Sequence, residues 1–202
     1  MSSNPSRSVL ITGTSSGIGR AAVKHFSRVG WRVAATMRTP EKERELSQLP
    51  GVKLYRLDVT DVTSIEDALA AAKQDFGRLD VLVNNAGYGV DGVFEAMSDD
   101  TIRQQFETNV FGLMRTTRAV VPLMRAQGGG CIVQVASMGG RLAFPLFSIY
   151  RGARLPGSRQ ERRLPRSGGR HHRQGRGASR HEDAFPRRSS SPSPAVAQAL
   201  LA

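Results

Sequence analysis

Apolar runs alternate with amphipathic stretches along the first 150 residues. "SVLIT" (8–12) is a short, largely apolar run that stops at a glycine loop, the pattern of a strand buried on both faces. Residues 18–29 follow with helical spacing, offering Ala21, Ala22 and Phe26 for packing, and Gly30 stands where a C-cap glycine belongs. "WRVAATM" (31–37) predicts a second strand, and "PEKERELSQL" (40–49) a charged surface helix with Pro40 near its start. "VKLYRLDV" (52–59) alternates as a third strand. Asp61 is placed to cap a helix beginning near Val62, whose inner face carries Ile65, Ala68, Leu69 and Ala72. "LDVLVNN" (79–85) predicts strand four, residues 99–107 and 109–126 two helical segments, and "GCIVQVAS" (130–137) strand five.

Strands alternating with helices at this spacing imply an α/β fold, a Rossmann-like doubly wound parallel sheet with right-handed crossovers. The pattern ends at 150. Residues 151–202 are rich in Arg, Gly, Pro and Ser, and their apolar residues are too sparse to offset the entropy of ordering. The expected organisation is a flexible N-terminus (1–7), a dinucleotide-binding domain (8–150) and a disordered basic tail (151–202), with the sheet incomplete at its C-terminal edge. "AVAQALLA" (195–202) is the one helix candidate in the tail, and eight residues form a marginal helix alone.

Charge changes the picture less than its total suggests. The chain of 202 residues carries a net +12, but residues 1–150 hold 17 Lys+Arg against 14 Asp+Glu, while 151–202 hold 12 Arg, no Lys and 3 acids. The basicity therefore belongs to the tail. Twelve arginines could contact phosphates, yet Lys is absent there and aromatics nearly so, which argues against nucleic acid as a partner. Cys131 is the sole cysteine, which excludes an intrachain disulfide and points to a reducing compartment. No run approaches the ~20 apolar residues of a membrane span, and "MSSNPSRS" lacks a secretory h-region. The expectation is a cytoplasmic protein that binds no membrane. His171, His172 and His181 have no acid or cysteine at metal-site spacing, so no metal is expected.

The first chemistry lies in "TGTSSGIG" (12–19), between strand one and helix one. Gly13 permits the sharp turn, Gly17 the close approach of a phosphate, and Gly19 tight helix–strand packing. The helix N-terminus offers unpaired N–H groups to a diphosphate. "LDVTD" (57–61) puts a carboxylate at the end of strand three, "NNAG" (84–87) ends strand four, and "ETNVFG" (107–112) places an asparagine at a helix start. The end of strand two reads "TMRTP" (36–40): no acid for ribose hydroxyls, but Arg38, whose guanidinium suits a 2′-phosphate. That favours NADP(H) over NAD(H).

Together these motifs, in order over residues 8 to about 150, resemble the short-chain dehydrogenase/reductase family. The resemblance implies that Gly13, Ser15, Gly17, Ile18 and Gly19 line the diphosphate, Asp58 and Val59 flank the adenine, and Asn84, Ala86 and Gly87 follow the ribose and strand edge, with Arg38 at the 2′ position. It further implies a proton-transferring tyrosine, Tyr150, a serine that polarises the substrate oxygen, Ser137, and an asparagine that holds a relay water, Asn109. Ser137 and Tyr150 stand 13 residues apart, as the family pattern leads one to expect. A free tyrosine, with a pKa of ~10, is a poor base at neutral pH, and the family lowers it with a lysine one helical turn later.

Here that position holds Arg154, and "RGARLPGS" places Gly152, Pro156 and Gly157 around it. Inside a helix, proline costs ~3 kcal/mol and glycine ~1 kcal/mol, so Arg154 is the positional equivalent of the lysine and no more. The abrupt change of composition suggests a reading-frame change near codon 150. Codons for "RHHRQ" (170–174) read one nucleotide later permit "VTIV", a strand-like run, and the DNA across this region decides the matter. The expected function is hydride transfer between NADP(H) and a ketone or secondary alcohol. The apolar stretch "MGGRLAFPLFSIY" (138–150) favours a lipophilic small-molecule substrate. Two other readings stand beside it: a catalytically impaired dinucleotide-binding remnant, and, weaker, a nucleic-acid-binding protein acting through its tail. A homo-oligomer is possible.

Overall fold

The computed structural model describes residues 7–138. Five strands form one sheet: β1 (Ser8–Thr12), β2 (Arg32–Met37), β3 (Val52–Arg56), β4 (Val81–Asn84) and β5 (Cys131–Gln134). Their order is β3-β2-β1-β4-β5, and every pairing is parallel. Helices α1 (Gly17–Arg28), α2 (Val62–Phe76), α3 (Asp99–Phe106) and α4 (Leu113–Ala126) join them. This is the Rossmann-like doubly wound fold that the sequence predicts.

The unbroken apolar runs of β1, β2 and β4 have a direct cause, since both faces of the sheet are covered. Val9 and Ile11 face a core shared with Val23 and Phe26 of α1. Leu10 faces the opposite core, with Ile65, Leu69 and Ala72 of α2 and Val120 of α4. Alternation along β1 is therefore between two cores rather than between core and water. Phe26 is fully buried and tilts against Trp31, with ring centroids 5.0 Å apart. Burying a side chain of this kind stabilises the fold by roughly 1.5–3 kcal/mol. At the sheet edge, β3 exposes Lys53 and Arg56, charges that discourage pairing with another strand. Asp61 caps α2, accepting from the Ser64 N–H at 3.2 Å, a contact worth about 1 kcal/mol.

Three expectations need correction. The predicted helix over 40–49 is instead two short 3₁₀ turns, Pro40–Lys42 and Leu46–Gln48. Between them the Glu43 carboxylate accepts the backbone N–H groups of Glu45 and Leu46, a side-chain alternative to helical bonding, while Leu46 is buried in the core beside α1. Strand three stops at Arg56 rather than Val59. There the Asp58 carboxylate takes bonds from the Thr60 N–H and hydroxyl and turns the chain. Finally, "ETNVFG" does not begin a helix. It forms a wide π turn, Glu107–Gly112, inside one helical path that runs from α3 into α4. Gly112 presses against Val59 at this turn, and a Cβ there would lie 2.7 Å from Val59 Cγ2.

Candidate functional site

The carboxyl ends of β1, β2, β3, β4 and β5 open on one cleft of about 990 Å³, at the upper end of the size range for small-molecule sites. The glycine loop forms one wall. Gly13 has a φ of 70°, and a Cβ on it would meet Ala86 Cα at 2.8 Å. At Gly19 a Cβ would lie 2.3 Å from the Gly13 carbonyl oxygen and 2.5 Å from Asn85 Nδ2. Both positions exclude side chains, because Ala86 of strand four's loop packs against the first and the Gly13 carbonyl and Asn85 amide against the second. Gly17 differs: its φ is 55° and nothing lies within 4 Å of its missing Cβ. It leaves an open approach to the first turn of α1, whose leading N–H groups have no helical acceptors.

The loop's shape is fixed by bonds that the glycine motif does not announce. Thr12 Oγ1 accepts from the backbone N–H groups of Asn85 and Ala86, each at 3.0 Å. The Asn85 side-chain amide donates to the carbonyls of Thr12 and Gly13, each at 2.9 Å. Thr14 ties the next residue to β2, its N–H and hydroxyl both donating to the Thr36 carbonyl at 3.0 Å. Strands one, two and four are thereby joined at the cleft mouth.

The second wall carries Arg38, Asp58, Val59 and Thr60. Arg38 is exposed and makes no hydrogen bond or ion pair among the described residues. Burial alone would raise the Asp58 pKa, but the bonds from Thr60 and the charges of Arg38 and Arg56 hold it below the usual carboxylate value. Asp58 is therefore an anion at neutral pH, with both bonds from Thr60 falling on one oxygen. Ala86, Gly87 and Tyr88 line the cleft beyond the glycine loop, and Gln104, Glu107 and Thr108 of the helical path form its floor. Ser137 lies at the far end, just past β5.

Not every residue named from the sequence faces this space. Gly13, Ser15, Gly17, Ile18, Arg38, Asp58, Val59, Ala86, Gly87 and Ser137 line the cleft. Gly19 stands behind the loop, where its role is packing. Asn84 is buried away from the cleft, its Nδ2 donating to Thr117 Oγ1 at 2.9 Å and its Oδ1 without a partner among the described residues. It is the next residue, Asn85, that reaches the glycine loop. Asn109 also lies outside the wall, bonded in both directions to the Tyr88 backbone. Tyr150, Arg154 and the tail lie outside the described residues. Among the described residues no group of three His, Cys, Asp or Glu is placed to hold a metal, and no helix is long and apolar enough to cross a membrane.

Residues 7–155 match the short chain dehydrogenase family, and the chain belongs to it. An uncharacterized oxidoreductase of Schizosaccharomyces pombe is 40% identical over 149 residues, which cover 73% of this chain and 50% of the relative. A short-chain dehydrogenase from Streptomyces avermitilis has a similar structure, with a TM-score of 0.69 and 39% identity over 73% of this chain and 55% of its own. A variant of the actinorhodin polyketide ketoreductase, solved with NADPH, gives a TM-score of 0.70 and 32% identity, covering 76% of this chain and 61% of its own. The chain spans about half the length of the curated relatives it matches.

Proposed function

We propose that the cleft binds NADP(H) and that the chain serves an oxidoreductase reaction on a ketone or secondary alcohol of lipophilic character. The observation that carries this reading is the pairing of two features across one cleft: an open helix N-terminus at Gly17 and an uncommitted guanidinium at Arg38. The first suits a diphosphate, the second a phosphate monoester on the adenosine ribose. The ketoreductase bound to NADPH, similar in structure, supports the same choice.

In this reading the amides of Ser15, Gly17 and Ile18 hold the diphosphate, and Gly13 and Gly19 let the loop close behind it. The free Asp58 oxygen accepts from the adenine amino group, and Val59 packs on the ring. Ala86 and Gly87 carry the backbone past the ribose. When bound, the nicotinamide supplies or receives the hydride. Ser137 polarises the substrate oxygen and Tyr150 exchanges its proton. Arg154 holds the sequence position of the family's lysine, and Asn109 keeps the loop at Tyr88 in place. The single cysteine supports the reducing cytoplasm as the setting.

A second reading is favoured by one residue. Arg154 stands where the family pattern has lysine, and a planar guanidinium cannot reproduce an ammonium point charge under a ribose. The chain would then bind the coenzyme without turnover. Titrating full-length protein with NADPH and NADH, followed by a panel of ketones, separates the possibilities. Tight NADPH binding with oxidation supports the enzyme; binding without oxidation supports the remnant. Equal or tighter NADH binding rejects the assignment of Arg38.

A further inference from the structure

The segment that carries Arg38 is anchored in an unusual way. Its far half is held by the fold: Leu46 is buried, the Pro50 carbonyl accepts from Ser27 Oγ at 2.7 Å, and the Gly51 carbonyl accepts from the Val33 N–H at 2.8 Å. Its near half, 39–45, is held within itself and to the next turn by local bonds, among them Lys42 to Thr39, Glu43 to Pro40 and Gln48 to Glu45. Among the described residues, the hydrogen bonds and ion pairs that tie this half to anything outside residues 39–48 all run to α1, to Arg20 and Lys24.

Arg20 is the centre of that contact. Its guanidinium grips Glu43 through two nitrogens, at 2.5 and 3.1 Å, and reaches Glu45 at 2.6 Å. The Glu43 side chain is only 8% exposed and also takes the Glu45 and Leu46 N–H groups, so its acceptor sites are filled in one geometry. The Arg20 Nη1 also donates to the Ser15 carbonyl, at 3.4 Å. One side chain thus touches the glycine loop on one side and the Arg38 segment on the other. Both of these line the cleft.

We propose that Arg20 is a positioning residue for coenzyme choice: by clasping Glu43 and Glu45 while holding Ser15, it sets the spacing between the diphosphate seat and Arg38. This rests on the NADP(H) reading above. The 2′-phosphate and the diphosphate of NADP(H) are carried on one ribose and can separate only within a limited range, so two separate loops must present their donors within that range. A segment ordered in advance loses less freedom on binding than one that must be fixed by the ligand. Two carboxylates also neutralise Arg20, and among the described residues that line the cleft Arg38 is the cation that faces a second phosphate.

The test measures dissociation constants of NADPH and NADH on the full chain, unaltered and with Arg20→Gln, Glu43→Gln and both together. Losing the clasp weakens NADPH by about tenfold and NADH by less than about twofold, because only the 2′-phosphate contact is misplaced. The double variant is no worse than Arg20→Gln alone, since that change already breaks the link to Glu43. A purely structural role would weaken both coenzymes in parallel and overturns the proposal. So does tighter NADPH binding by Glu43→Gln, which would make Arg20 itself a phosphate ligand. Unchanged selectivity in the variants, beside NADPH preference in the unaltered chain, sinks the clasp and leaves the coenzyme assignment standing. No preference in the unaltered chain sinks both. If Glu43→Gln does not fold, Glu45→Gln on the exposed side gives a smaller loss in the same sense, and its absence counts against the proposal.

Discussion

Asn109 and Tyr88 exchange a pair of hydrogen bonds. Asn109 Nδ2 donates to the Tyr88 carbonyl at 2.7 Å, and the Tyr88 N–H donates to Asn109 Oδ1 at 3.0 Å. A side chain on the π turn thereby satisfies the backbone at Tyr88, further along the loop whose first two amides Thr12 takes. Replacing Asn109 with Ala removes both partners at once. The expected loss is about 1–3 kcal/mol of unfolding free energy in urea. Asn109→Asp should be no better, because it loses the donor and sets a carboxylate against a carbonyl.

The three glycines of the loop should separate stability from binding. Gly19→Ala drives a methyl into the Gly13 carbonyl at 2.3 Å, contact with backbone that cannot move aside cheaply. It should destabilise the fold by about 1–3 kcal/mol or more. Gly17→Ala meets no atom within 4 Å and bears only the strain of its φ of 55°, about 1–2 kcal/mol. Its methyl would instead intrude on the diphosphate. Thermal melts beside coenzyme titrations should show Gly19→Ala as mainly unstable and Gly17→Ala as mainly unable to bind.

Arg38→Gln should cost selectivity and little else. The side chain is exposed and makes no bond among the described residues, so the melting temperature should hold. NADPH should weaken by roughly 10–100-fold, the worth of a charge-assisted phosphate contact, with NADH nearly unaffected. Calorimetric titration of both coenzymes checks it; a parallel loss would place Arg38 outside the 2′ site.

Glu43 makes a prediction about acid. Its bond to Arg20, then that from the Leu46 N–H, lowers its pKa from 4.5 to about 2. The folded state therefore binds the proton more weakly than the unfolded state does. The resulting stability is fully present above pH 4.5 and is lost as pH falls through about 2. Glu43→Gln, which mimics the protonated acid, should be less stable than the unaltered chain at neutral pH, and the two should converge below about pH 2. Equal stability across the whole range would show that the pair contributes nothing.

Much of the fold was legible because burial on both faces writes itself as unbroken apolar runs, as in β1, β2 and β4. The spacing of Ile65, Ala68, Leu69 and Ala72 likewise announced α2, and Asp61 its start. The stretch 40–49 misled because its charges and Pro40 suit a helix, whereas Glu43 bonds its own backbone and reaches across to Arg20, a partner more than twenty residues away. Asn109 looked like a helix start because a π turn has no periodicity of its own. In the cleft, the glycines declared themselves by type and spacing. Thr12 and Asn85 did not, since a threonine that accepts two amides and an amide that bridges two carbonyls look like any strand-end polar residues. Only the pairing of β1 with β4 brings them together.

The two-sided burial of β1 has a mechanical consequence. Val9 and Ile11 are gripped from one side, Leu10 from the other, and the strand runs into Gly13 two residues after Ile11. Sliding by one residue would exchange the occupants of both interiors, so the strand is locked like a bolt between opposed jaws. A volume change in either interior should shift Gly13 at the cleft through this short stretch of backbone. Distant aliphatic substitutions should therefore be able to tune ligand affinity without touching the ligand.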